Sequence, residues 1–188
     1  MASTVKRIQS TSTEVAEFLR RAAETPIASA ARGHLIFALD ATASRQPTWD
    51  QACQLQGDMF TTAAGLRGLV LQLVWYRGHG EFQVEPWLAN SIELKQRMTS
   101  VQCRGGLTQI GRVLEHAIRE TRRQRVDALV LVGDCLEEPV DPLRHLAGQL
   151  GLLGVPAFLF QEGHDPDAGL GFREMARLTR GAYCAFDA

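Results

Sequence analysis

Apolar, strand-length runs alternate with segments of helical periodicity along most of this chain. The first run, residues 34–40, is almost entirely apolar, which is typical of a strand buried on both faces of a sheet. Helical connections of ten or more residues are long enough to cross a sheet and return in parallel. The pattern therefore predicts an α/β fold with a mostly parallel sheet covered by helices on both faces. The predicted strands span residues 34–40, 69–76, 81–87, 127–133, 156–160 and 182–186.

One connection is too short for a parallel crossover. Only residues 77–80, Arg-Gly-His-Gly, separate the second predicted strand from the third. A tight turn of this kind joins antiparallel neighbours, so the third strand is predicted to be an antiparallel edge strand of a six-stranded sheet. The predicted helices span residues 11–25, 48–64, 91–98, 108–123, 142–152 and 167–178.

The length of 188 residues fits one domain with a buried core. Thr11 and Glu14 form a capping box at the start of the first predicted helix, and Pro26 ends that helix. Residues 1–32 are therefore predicted to be an N-terminal helical extension, and residues 33–188 the domain itself.

The composition excludes several classes of partner and indicates a compartment. A formal net charge of −1 gives no electrostatic basis for binding nucleic acid or an anionic membrane. No apolar stretch approaches the roughly 20 residues of a membrane span, and residues 11–24 lack the apolar core of a secretory signal. We therefore expect a cytoplasmic protein. Its widely spaced cysteines are expected to be buried thiols: Cys53, Cys103, Cys135 and Cys184.

Oxygen-bearing side chains follow two of the apolar strands at their carboxyl ends. Asp40 ends the first strand, with Thr42 and Ser44 at alternate positions after it. Asp134 follows the fourth strand, and Thr108 precedes the helix that leads into that strand. In an open α/β sheet, ligands bind outside the carboxyl ends of the strands, where the strand order reverses. If the first and fourth strands are neighbours, these three loops converge on one ion.

Such a set of oxygens suits a hard divalent cation. Magnesium requires octahedral oxygen ligation, and two hydroxyls two residues apart on an extended loop can point to one side. The carboxylates of Asp40 and Asp134 can bind the ion directly or hold ligating waters. If hydroxyls supply most of the direct ligands, the charge of the ion is not balanced. The ion then attracts a carboxylate from another molecule.

The order Asp40-x-Thr42-x-Ser44, then Thr108, then Asp134 resembles the metal-ion-dependent adhesion site (MIDAS) of von Willebrand factor A (VWA) domains. That family pattern is Asp-x-Ser-x-Ser with a distant Thr and a distant Asp, so Thr42 replaces the usual first serine. The resemblance covers about residues 34–187 and implies a Rossmann-like three-layer sandwich. It implies that Thr42, Ser44 and Thr108 bind Mg²⁺ or Mn²⁺ directly, with both aspartates acting largely through waters. An Asp or Glu of a protein partner would complete the coordination.

Structural roles for the same residues remain open as alternatives. Asp40 and the hydroxyls after it can satisfy a turn, and Thr108 can act as a helix N-cap. The protein would then be a metal-free scaffold that binds through another surface. Glu137, Glu138 and Asp141 are expected in a solvated loop and helix start, where Asp141 suits the helix dipole.

A phosphohydrolase of the haloacid dehalogenase type is a further alternative, because Asp40 could be its nucleophile and Gly133-Asp134-x-x-Glu137-Glu138 resembles its third motif. Those Mg²⁺-dependent enzymes use a second acid two residues after the nucleophile, and here that position is Thr42. The chain has only two lysines to offset phosphate charge, Lys6 and Lys95, and neither is suitably placed. We therefore expect a non-enzymatic interaction module.

Overall fold

The computed structural model of this protein describes residues 33–47, 49 and 69–187. Within these residues the strands are β1 (Gly33–Asp40), β2 (Leu69–Arg77), β3 (Glu81–Leu88), β4 (Ala128–Gly133), β5 (Ala157–Glu162) and β6 (Ala182–Phe186). The α-helices are α1 (Ser91–Ser100), α2 (Ile110–Thr121), α3 (Val140–Leu152) and α4 (Pro166–Leu178), and a 3-10 turn spans Ala43–Arg45. The predicted N-terminal extension (1–32) and the predicted helix 48–64, apart from Trp49, lie outside the described residues.

The six strands form one sheet in the order β3-β2-β1-β4-β5-β6. Every neighbouring pair is parallel except β2 and β3, which are antiparallel. The predicted mostly parallel sheet with one antiparallel edge strand is therefore confirmed. Strand β5 continues two residues beyond its predicted end and buries Gln161 and Glu162. Because both residues are polar, the apolar pattern of the sequence did not predict that the strand continues through them.

Helices cover both faces of the sheet, and alternate residues of β1 pack into two separate apolar clusters. Ile36 and Ala38 contribute to the cluster that includes α2, α3 and α4. Phe37 and Leu39 contribute to the other cluster, with Leu94 of α1. Each large apolar side chain buried in this way stabilises the fold by about 1.5–3 kcal/mol. No helix in the described part of the chain is long and apolar enough to cross a membrane.

The strand order reverses next to β1. From β1 the chain continues to β2 on one side, and β4 later pairs with β1 on the other side. In this register Leu39 lies opposite Val132 of β4, and Asp40 lies opposite Tyr76 of β2. The loops after β1 and β4 therefore leave the sheet side by side, at the position where open α/β sheets bind ligands.

Candidate metal centre

Asp40 lies at the carboxyl end of β1 and is completely buried, with 0% of its surface exposed. The backbone N–H of Thr42 donates to Oδ1 over 2.8 Å, and the hydroxyl of Tyr76 donates to Oδ2 over 3.0 Å. Burial raises the pKa of Asp40 to about 6; hydrogen bonds from Thr42 oppose the increase, and the charge of Asp134 adds to it. The positive charge of Arg45 offsets this increase only in part, so the buried carboxylate is incompletely compensated. A divalent cation would supply the remaining positive charge.

Asp134 and Cys135 lie just past the end of β4 and close to Asp40. One potential ligand atom from each of these three residues lies within 4.8 Å of the other two. The Sγ atom of Cys135 is 3.6 Å from Oδ1 of Asp134. Burial, with the charge of Asp134 as the next cause, raises the pKa of the Cys135 thiol to about 12. The thiol is therefore protonated at neutral pH unless a cation displaces its proton.

The hydroxyls of Thr42 and Ser44 are hydrogen-bonded to each other and lie 3.0 Å apart. The 3-10 turn Ala43–Arg45 brings them together, with Thr42 buried and Ser44 exposed. Two ligands at neighbouring corners of a magnesium octahedron, with bonds of about 2.1 Å, are about 3.0 Å apart. This hydroxyl pair therefore has the spacing of two adjacent ligands of a hard octahedral ion, and its Ser44 side faces solvent.

Thr108 lies in a loop that is fastened to the loops after both β1 and β4. The N–H of Arg104 donates to the carbonyl oxygen of Ala41 over 3.0 Å. Thr108 donates its N–H to Oε2 of Glu137 over 2.9 Å, and its hydroxyl accepts from the N–H of Glu137 over 3.1 Å. At Gly106 a Cβ would lie 2.0 Å from a carbonyl oxygen of the β2–β3 turn, so only glycine allows this close approach. All three predicted loops are thus connected through hydrogen bonds.

The expectation of a solvated acidic cluster was wrong for Glu138. Its carboxylate accepts hydrogen bonds from the N–H groups of Ile110, over 2.5 Å, and Gly111, over 2.8 Å. It thereby caps α2, whose own N-cap residue, Gln109, makes no side-chain cap. The hydroxyl of Thr108 accepts from the N–H of Glu137 and also forms a hydrogen bond with Glu138. The N-cap alternative for Thr108 therefore does not hold, because a neighbouring loop provides that function. Asp141 lies exposed in the first turn of α3, as expected.

Arg45 holds the loop after β1 from its other side. Its side chain is fully buried, and Nε and Nη2 donate to Oε2 of Glu162 over 3.0 and 2.7 Å. Its Nη1 donates to the carbonyl oxygen of Asp40 over 2.9 Å, and the guanidinium lies 5.3 Å from the ring centre of Trp49. This ion pair was not predictable from the sequence, since a single arginine after Ser44 forms no recognisable pattern.

The residues at this edge fit a divalent cation. Two aspartates approach each other next to a pair of hydroxyls, and the carboxylate of Asp40 accepts hydrogen bonds from Thr42 and Tyr76. Of the five predicted ligands, the structure groups Asp40 with Asp134 and Thr42 with Ser44, and it links Thr108 to the loop of Asp134. Tyr76 and Cys135 also contact the two aspartates, and the position of Cys135 next to Asp134 was the only sequence signal for either residue.

Replacing Tyr76 with Phe is expected to lower the affinity for Mg²⁺ or Mn²⁺ by about tenfold, because groups that orient a ligand typically contribute this much. The change removes the hydroxyl that donates to Oδ2 of Asp40. Calorimetric titration measures the effect. The chain's other tyrosine is the control: the hydroxyl of Tyr183 donates to Gln161 instead, so Tyr183→Phe should bind like wild type. Equal affinity in all three proteins would mean that Tyr76 does not position Asp40.

No protein-family model and no curated protein matches the sequence, but solved structures share its fold. The SpRpn10 VWA domain aligns with 84% of this chain and 88% of its own, with a TM-score of 0.63 and 10% identity. An aerotolerance-related membrane protein from Bacteroides fragilis aligns over 82% and 92%, with a TM-score of 0.65 and 17% identity. Proximal thread matrix protein 1 from the mussel byssus, with a zinc-occupied MIDAS motif, aligns over 82% and 41%, with a TM-score of 0.65 and 17% identity.

The chain therefore has the fold of von Willebrand factor A domains. Its six-stranded Rossmann-like sheet, with helices on both faces, is the architecture that the sequence predicted. The resemblance noted in the sequence is thus confirmed at the level of the fold.

Proposed function

We propose that this protein is a protein-binding module that depends on a divalent cation. The ion, Mg²⁺ or Mn²⁺, would lie at the carboxyl edge of the sheet and bind an Asp or Glu of a partner protein. The hydroxyl ligands would contact it directly, and the two aspartates would act largely through waters. The proposed ligands are Asp40, Thr42, Ser44, Thr108 and Asp134.

The observation that carries this proposal is the buried, incompletely compensated carboxylate of Asp40 beside Asp134. Burying a charge without a partner is costly, so such a group is retained where a cation completes it. The hydroxyl pair of Thr42 and Ser44 has the spacing of an octahedral ion, and the exposure of Ser44 leaves the site open to solvent.

The ligand set also supports a role in binding. Neutral hydroxyls as direct ligands would offset none of the charge of the ion, and aspartates acting through waters would offset it only in part. The bound cation would therefore attract a carboxylate. The fold is consistent with this role, since a structure of the mussel protein has a MIDAS motif occupied by zinc. Among the described residues, the lysine that a phosphohydrolase would require near Asp40 has no counterpart at this edge, because Lys95 lies in α1. The cytoplasmic location stays a prediction.

Titration with Mg²⁺ and Mn²⁺ tests the metal part of the proposal. Wild type should bind one ion, and the double variant Asp40→Ala with Asp134→Ala should bind at least about 100-fold more weakly. The control double variant, Asp141→Ala with Asp167→Ala, removes the same charge from exposed positions and should bind normally. No binding by wild type, or unchanged binding by the first double variant, would contradict the proposed metal site.

Capture of partners from cell extract, with Mg²⁺ or with a chelator, tests the binding part. A specific partner should be retained with Mg²⁺, released by the chelator, and not captured by the Asp40→Ala, Asp134→Ala variant. When the Asp and Glu residues of that partner are then replaced one at a time, one of these replacements should abolish binding. Retention that is insensitive to chelator contradicts the proposed mechanism. Turnover of a generic phosphatase substrate that is lost in Asp40→Asn would favour the enzyme alternative instead.

A further inference from the structure

Cys135 adds a sulfur atom to an edge whose other potential ligands are oxygens. Its Sγ lies within 4.8 Å of ligand atoms of both Asp40 and Asp134. Magnesium has little affinity for sulfur, whereas zinc and other borderline or soft divalent ions bind thiolate strongly. The residue after Asp134 therefore changes which ions this edge of the sheet can hold.

We infer that Cys135 gives the centre a second mode of coordination, in which Zn²⁺ or another thiophilic divalent ion binds Sγ of Cys135 together with the carboxylates of Asp40 and Asp134. The inference rests on the proposed function, since both modes place a cation between the same two aspartates. The two ions therefore compete for one position and cannot bind together.

The spacing of the side chains supports a tetrahedral ion in this mode. With bonds of about 2.3 Å to sulfur and about 2.1 Å to oxygen, tetrahedral zinc holds the two ligand atoms about 3.6 Å apart. Sγ of Cys135 and Oδ1 of Asp134 lie 3.6 Å apart, with the thiol donating a hydrogen bond to the carboxylate, so the two atoms already have the spacing that zinc requires. The hydroxyls of Thr42 and Ser44, at 3.0 Å, match an octahedral shell instead. The hydroxyl pair at this centre thus has the spacing of octahedral ligands, and the pair of Cys135 with Asp134 has the spacing of tetrahedral ligands.

Three protein ligands leave one tetrahedral position for a water or a ligand carboxylate. Binding releases the thiol proton of Cys135 to solvent, because a coordinated thiol is deprotonated. Among the described cysteines, Cys103 and Cys184 do not belong to this group of three. The charges of Asp40 and Asp134 nevertheless act on Cys103, which makes it a nearby thiol for comparison.

Titration of the full chain with Zn²⁺, Co²⁺ and Mg²⁺ tests the inference in Cys135→Ser and, as the control, Cys103→Ser. Cys135→Ser should bind Zn²⁺ at least about 100-fold more weakly, because loss of a ligand should cost at least as much as loss of its orienting partner. Its affinity for Mg²⁺ should fall by much less, because magnesium has little affinity for sulfur. Wild type and Cys103→Ser loaded with Co²⁺ should show thiolate-to-cobalt charge-transfer absorption. Cys135→Ser should lack this absorption.

Undiminished Zn²⁺ affinity in Cys135→Ser, or its charge-transfer absorption with Co²⁺, would overturn the inference. Loss of the absorption in Cys103→Ser rather than in Cys135→Ser would do the same. These results are separable from the Mg²⁺ titration. A centre that binds Mg²⁺ but shows no thiolate signal refutes only the zinc mode. One that binds Zn²⁺ through Cys135 and does not bind Mg²⁺ refutes only the choice of ion in the proposed function.

Discussion

Asp40→Asn is expected to stabilise the metal-free protein and to abolish its stabilisation by Mg²⁺. Burial raises the folded-state pKa of Asp40 from 3.8 to about 6. A carboxyl group with a raised folded-state pKa favours folding when protonated, and this advantage is lost as the pH rises through about 6. At about pH 8 the charge therefore costs up to about 3 kcal/mol, at about 1.36 kcal/mol per pKa unit. With a chelator present, Asp40→Asn should therefore be more stable than wild type by much of this amount at about pH 8 and by little of it near about pH 4.

Magnesium should reverse the order of stability of the two proteins. At a free concentration of about 100 times its Kd, Mg²⁺ adds about 2.7 kcal/mol to the free energy of unfolding of wild type and nothing to the variant. Urea denaturation with chelator and with Mg²⁺, at the two pH values, measures both effects. Asp167→Asn, an exposed acid in the first turn of α4, should respond like wild type. If Mg²⁺ stabilised Asp40→Asn as much as wild type, the ion would have to bind at a different site.

The fold was predictable because its signals are periodic and local. Apolar runs at strand length, helical spacing between them and a turn at residues 77–80 each indicate one element or one connection. The pairing of β1 with β4 followed as a condition of the proposed site, and the structure fulfils it. The ends of the elements were less predictable, as the polar end of β5 shows.

The order of the candidate ligands was also visible in the sequence, because each follows or precedes a recognisable element. The groups that support them were not visible, since they come from distant parts of the chain. Tyr76 reaches Asp40 from 36 residues away, and Glu138 caps a helix that begins 28 residues before it. Such contacts depend on the register of neighbouring strands and on loop conformation, which composition and spacing do not specify.

Cys135 shows a second reason why part of the site could not be predicted from the sequence. Its lack of a second cysteine at metal-site spacing led to its interpretation as a simple buried thiol. In the structure its side chain is only half-buried and lies with two aspartates, so that its potential ligand partners are carboxylates from the ends of two strands. A mixed centre of this kind has no sequence pattern beyond the adjacency of Cys135 to Asp134. Only the position of β4 beside β1 brings Asp40 to the same place.

Arg45→Met is expected to destabilise the protein by about 3–5 kcal/mol, because it leaves the Glu162 carboxylate buried without its partner. The pair is shielded from solvent, with 0% of the Arg45 side chain and 9% of the Glu162 side chain exposed. The change also removes the donor to the carbonyl oxygen of Asp40, so the loop after β1 loses its attachment to β5. Urea denaturation of the metal-free protein measures the loss.

The double variant Arg45→Met with Glu162→Met should recover most of that stability, since two apolar side chains of similar volume replace a buried ion pair at little cost. Arg144→Met is the control: its ion pair with Glu174 lies at the surface, so it should lose no more than about 1 kcal/mol. Recovered stability without recovered Mg²⁺ affinity would show that the pair serves to position the β1 loop. If Arg45→Met lost as little stability as Arg144→Met, the Arg45–Glu162 ion pair could not be buried as described. A carboxylate left without its partner inside the protein should cost more than about 1 kcal/mol.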